Sequence, residues 1–212
     1  MASTAAATAL LFALLASDAT YPVVAEALAL PESTTIVPAN DSVALVVEGK
    51  RRELMALAAV ARKNHLHASV AASEPLSGQD VAALRTDGLD PMPELSSRGV
   101  RSWFHAHGQL ETQRAQYQLN GPFPYLAPRE GFTITDYLLA RHLGGVPIQA
   151  GYSLTPHDFA PAAVHSGEVI LARLDDEPGD DTGHLLAAVR LIERSGLGVS
   201  SVQRLLGRGR SA

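Results

Sequence analysis

The sequence predicts an α/β domain built on a parallel sheet, and three stretches near its start predict it. "SVALVV" (42–47) is an unbroken run of apolar, mostly β-branched residues, the pattern of a strand covered on both faces. "RRELMALAAVARKN" follows, with Leu54, Leu57, Ala58 and Ala61 spaced to share one face of a helix. "LHASVAAS" (66–73) is strand-like again. A strand, a helix and a second strand in that order imply parallel pairing through a right-handed crossover.

The remaining elements follow in order. Residues 1–40 carry an apolar stretch from Ala5 to Ala16 with no Lys or Arg before it. It has the length of an export-signal core but lacks the positive leader, so an export signal and a packed Ala/Leu-rich helix are both open readings. It is shorter than the roughly 20 residues a membrane-spanning helix needs. Localisation therefore divides between secreted or cell-envelope and cytoplasmic. Prolines and polar residues in 21–41 read as a lead-in to a single domain over 41–212.

Within the domain, "SGQDVAALRTDG" and "PELSSRG" read as short helices ending at glycine. "VRSWFHAH" (100–107) is expected to be a strand, and "QLETQRAQYQL" a polar helix stopped by Gly121 and Pro122. "FPYLAP" is expected to be extended. "TITDYLLARHLGG" is expected to be a helix that Thr135 caps and Gly144 ends. "VPIQAGYS" and the stretch around Val169–Leu171 complete the strands. A final amphipathic helix, a glycine turn and a small helix then close the domain.

Composition limits the function classes. A net charge of −5 with scattered arginines offers no basic face for nucleic acid. The chain has no cysteine, which excludes disulfides, thiol nucleophiles and cysteine–zinc sites. There is no G-x-S-x-G elbow and no glycine-rich phosphate loop. The acidic loop "LDDEPGDD" (174–181) could offer oxygen ligands to calcium but lacks the regular spacing. A solvated loop before a helix N-terminus is the simpler account of it.

The order of elements resembles the polysaccharide deacetylase family (the NodB homology domain). "VALVVEG" stands where that family has a "VALTFDDG" strand, and "HASVAAS" where it has an "ATFFV" strand. "PELSSRGVRSWFHAHG" stands at the helix–glycine–strand that carries paired histidines, and "YLAPREG" at an "RPPYG" turn. "GEVILARLDD", "HLLAAVRLIERSG" and "VQRLLG" match the closing "GSIILLHD" strand and its two helices. The resemblance implies a distorted, incomplete (β/α) barrel. It also implies a carbohydrate deacetylase in which one Asp and two His hold a divalent metal, a second Asp acts as base and a late His as acid.

The catalytic positions are where this chain departs from the pattern. Counting back from Gly49, Glu48 takes the metal-ligand position and Val47 the base position; with a one-residue deletion Glu48 becomes the base and the ligand is lost. His105 falls at the first metal histidine, with Gln109 four residues on. His107 would share a face with His105 on a strand, giving Glu48, His105 and His107 as a candidate ligand set. A second placement, around "GLDPMPELSSR", offers Glu94 and Arg98 and no histidine. Arg173 stands where the late histidine would be, and arginine does not cycle as an acid.

The resemblance thus implies a domain that has lost deacetylation and binds a carbohydrate or a protein partner, without a cofactor. Trp103, Tyr125, Arg129 and Arg173 are its candidate substrate contacts. A divergent active hydrolase with a zinc-like ion, and a structural module sharing only the fold, are the alternatives.

Overall fold

A computed structural model describes residues 41–95, 103–127, 138, 141–154, 164–174 and 181–208. The export-signal question, Arg98, Arg129 and the acidic loop at 175–180 lie outside those residues.

The element order is β1 (Ser42–Gly49), α1 (Arg51–Asn64), β2 (Ala68–Ala72), α2 (Gly78–Thr86), β3 (Leu89–Pro91) and α3 (Trp103–Gln116). It continues with β4 (Phe123–Leu126), β5 (Gly145–Ile148), β6 (Tyr152–Leu154), β7 (Val169–Arg173), α4 (Asp181–Arg194), β8 (Gly198–Ser200) and α5 (Val202–Arg208). Every ladder among the described strands is parallel. The strands run β3-β2-β1-β7-β6, with β8 beside the start of β1 and β4-β5 as a separate pair. A bridge between Glu94 and Leu126 links the chain after β3 to the end of β4. The α/β class and the parallel sheet expected from the sequence are both present.

Side-chain alternation along β1 divides the core in two. Val43, Leu45 and Val47 join Leu54, Leu57 and Ala61 of α1, Val81 and Leu84 of α2, and Leu185, Val189 and Ile192 of α4. Ala44 and Val46 point the other way, into a second cluster with Ala71, Met92, Leu126, Ile148, Val169, Leu171 and, from α5, Val202 and Leu205. The two-residue period of a strand explains why an unbroken apolar run is needed here, since both faces are covered.

The helices are fixed locally. Glu53 accepts from the backbone N–H of Lys50 at 2.7 Å, closing the first turn of α1. Ser77 and Asp80 do the same for α2, and Arg51 of α1 grips Asp80 at 2.7 and 2.8 Å. That guanidinium, with the Ser77 hydroxyl and N–H, holds the Asp80 carboxyl well below the usual carboxylate range. Gly88 turns α2 into β3 with φ +90°, and a Cβ there would lie 3.0 Å from the carbonyl oxygen of Leu66.

The amino-terminal end of the second cluster is closed by polar contacts. The Ser69 hydroxyl donates to Gln203 at 2.5 Å and accepts from the N–H of Val202 at 2.9 Å. Ser201 donates to Asp90 at 2.5 Å, and the Gln203 amide donates to the carbonyl of Pro91 at 3.2 Å. These bonds seat α5 under β2 and β3.

Three expectations change. The stretch from Trp103 is the helix α3, not a strand. "VPIQAGYS" supplies two strands in different ladders, β5 with β4 and β6 with β7. The glycine turn before the last helix contains β8, which pairs Ser42–Ala44 with Gly198–Ser200.

Candidate functional site at the carboxyl edge of the sheet

In open parallel sheets, ligands are met at the carboxyl ends of the strands. The residues of the second face reach that edge as charged groups. On β1 the series Ala44, Val46 continues to Glu48; on β7 the series Val169, Leu171 continues to Arg173. On β3 and just beyond it, the series Asp90, Met92 continues to Glu94. The face is therefore polar at its amino end, apolar in the middle and charged at its carboxyl end.

Glu48 and Arg173 are register partners in the β1–β7 ladder. Their side chains meet, Arg173 Nε donating to Glu48 Oε2 at 3.1 Å. Glu94 is held by its backbone rather than its side chain. Gln113 of α3 accepts from its N–H at 3.0 Å, and Gln109 donates to its carbonyl at 3.0 Å. Gln109 and Gln113, one turn apart on α3, thus clamp the segment that carries Glu94. Its Oε2 is buried and has no hydrogen-bond partner among the described residues.

Burial pushes the Glu94 carboxyl up to about 7, the nearby Glu48 charge adds to the rise, and Arg173 opposes it. Burial, and then the Glu94 charge, raise Tyr117 to about 12. Both facts put Glu94 within electrostatic reach of the Glu48–Arg173 pair on one side and of Tyr117 on the other.

A pH dependence follows. The folded-state pKa of Glu94 exceeds its unfolded value of about 4.5, so between those values the folded chain holds the extra proton. Stability from this group is complete below about pH 4.5 and falls as pH rises through about 7. Glu94→Gln removes that loss. In urea titrations the variant is expected to match the wild type near pH 4 and to exceed it by about 2–3 kcal/mol at pH 8. A gap that does not change with pH would contradict the assignment.

Of the other expected site residues, those with described side chains, His107 and Tyr125, are placed elsewhere. On α3 positions two apart do not face each other, so His105 and His107 lose the shared face a strand would have given them. The side chain of His105, like that of Trp103, lies outside the description. His107 pairs with Glu111 at 3.5 Å, and its ring centre lies 6.0 Å from that of His142. Tyr125 is wholly buried in β4, so its ring offers no face to a sugar. Because β3 ends at Pro91, the placement that uses Glu94 fits the element order, and the one that needs a strand at 100–107 does not. Glu94 was the residue with the weakest signal: a lone acid after a three-residue strand.

The described carboxylates at this edge do not suit a divalent metal. Glu48 is engaged by a guanidinium that stays protonated at any working pH, and Glu94 keeps its proton up to near neutrality. Among the described residues no three His, Asp or Glu side chains converge to hold an ion.

A parallel α/β sheet flanked by helices, with its polar groups gathered at the carboxyl edge, defines a large class of ligand-binding and catalytic domains. Within that class the chain has the fold of the family 4 carbohydrate esterases, the polysaccharide deacetylases. It superposes on a chitin deacetylase from the fungal pathogen Colletotrichum lindemuthianum with a TM-score of 0.64 at 14% identity, covering 83% of this chain and 92% of that one. A family 4 carbohydrate esterase from Bacillus anthracis gives 0.63 at 10% identity, over 87% and 92%. A family 4 pseudoenzyme from the same organism gives 0.60 at 15% identity, over 84% and 71%. No protein-family model and no curated protein sequence matches the chain.

Proposed function

We propose that this chain is a polysaccharide-deacetylase-like domain that does not hydrolyse acetyl groups and binds a glycan at the carboxyl edge of its sheet. The observation that carries this reading is the Glu48–Arg173 ion pair at 3.1 Å. It uses the one acid at the end of β1 and fills the late-strand acid position with a group that cannot exchange a proton. The site is Glu48, Arg173 and Glu94, with no metal. The parallel path from β6 through β1 to β3, carried on to β4-β5 by the Glu94 bridge, supports a sheet that curls into a distorted barrel around the second core. Likeness to esterases of carbohydrates supports a glycan, rather than a protein, as partner. No helix among the described residues is long and apolar enough to cross a membrane.

Affinity electrophoresis through gels containing soluble polysaccharides tests the reading. The wild type is expected to be retarded by at least one glycan, and Glu48→Gln to migrate freely in the same gel. Equal migration of the wild type in every gel and in the blank would refute glycan binding.

A further inference from the structure

Arg173 ends β7 with its side chain 36% exposed, and among the described residues it is engaged through Nε alone. Glu48 fixes that edge of the guanidinium plane. The two terminal nitrogens, Nη1 and Nη2, are left on the free edge as parallel donors, a geometry that matches both oxygens of a carboxylate. A lysine could offer only a point charge there.

The neighbouring groups favour the same ligand. Glu94 Oε2 is buried without a hydrogen-bond partner among the described residues, and burial raises that carboxyl to about 7, so below neutral pH it sets little negative charge beside Arg173. Glu48, the acceptor at this edge, already receives Arg173, and the two charges cancel. What remains open to an incoming group is the pair of terminal nitrogens on Arg173. A sugar hydroxyl would leave one of these donors unused, whereas a carboxylate accepts from both.

We propose that the Arg173 fork, backed by Glu94, binds the carboxylate of an acidic sugar, a uronic acid unit within a glycan. This deepens the glycan-binding reading above and rests on it. Calorimetric titration with tetragalacturonate, the neutral tetramer of N-acetylglucosamine and a tetraglutamate peptide separates the possibilities. The wild type is expected to bind tetragalacturonate at least tenfold more tightly than either other probe. Arg173→Gln should lose at least tenfold in affinity for it, and Arg173→Lys should remain several-fold weaker than the wild type. Unchanged circular dichroism and melting temperature identify variants that are folded.

Binding of the neutral tetramer in preference to tetragalacturonate would overturn the proposal while leaving glycan binding intact. So would tetragalacturonate binding that Arg173→Gln does not alter. Tetraglutamate bound as tightly as the sugar acid would show that no sugar is read, and would overturn it too. If neither sugar probe binds and the gels also show no retardation, the glycan-binding reading fails and this inference falls with it.

Discussion

Val47→Asp is expected to cost about 3–5 kcal/mol of stability and to restore no deacetylation, although it rebuilds the acidic pair that the resemblance implies at this strand end. The reason is the direction of the side chain. Val47 is wholly buried and lies in the cluster that β1 shares with α1, α2 and α4, on the opposite face from Glu48. An ionised aspartate there has apolar neighbours among the described residues, so the chain must bury a bare charge or unfold. Denaturant titration of the variant beside Val47→Ala measures the effect. Val47→Ala loses only packing, about 1–3 kcal/mol, and the excess for Asp is the electrostatic part. Equal losses in the two variants would mean that position 47 opens toward the site after all.

Supplied with zinc or cobalt and an acetylated chito-oligosaccharide, the wild-type chain is expected to release acetate no faster than buffer does. On the proposed reading two proton-transfer groups are missing together. With Val47 at the base position that side chain is apolar and faces the other layer, and the acid position is Arg173, tied to Glu48. Each such group contributes about 10²–10⁴ in rate, so losing both removes about 10⁴–10⁸. An enzyme of ordinary turnover, about 10 per second, would fall to one event in minutes or longer. A coupled acetate assay over a day would read this. Metal-stimulated release at about 1 per second or faster would show that other residues have taken over the chemistry.

These outcomes depend unequally on what the sequence made legible. The strand–helix–strand over residues 42–72 could be read directly, because helix α1 repeats its apolar residues with the right period and β1 does not alternate at all. The presence of Glu48 and Arg173 at strand ends was equally visible. That they face each other was not, since pairing depends on the register of β1 against β7, which local pattern does not encode.

The stretch carrying the two histidines is a helix where a strand was expected, for a physical reason. Trp103 and Phe104 favour strands by propensity, and Gly108 interrupts the helical run. Tertiary contacts of Gln109 and Gln113 with the Glu94 backbone, and burial of Leu110 and Tyr117, accompany the helix instead. The same contacts place Glu94, which a three-residue strand gave little means of finding.

The polar closure beneath the second core carries a consequence for how the domain assembles during synthesis. The side chains of Ser69 and Asp90, made early, meet their partners among the described residues at positions 201–204, more than a hundred positions later. Until that late segment leaves the ribosome, Ser42–Ala44 lacks β8 and the floor of the sheet stands open to water. The domain should therefore mature after translation of this last stretch, in one late step, with its nascent form dependent on holding factors meanwhile.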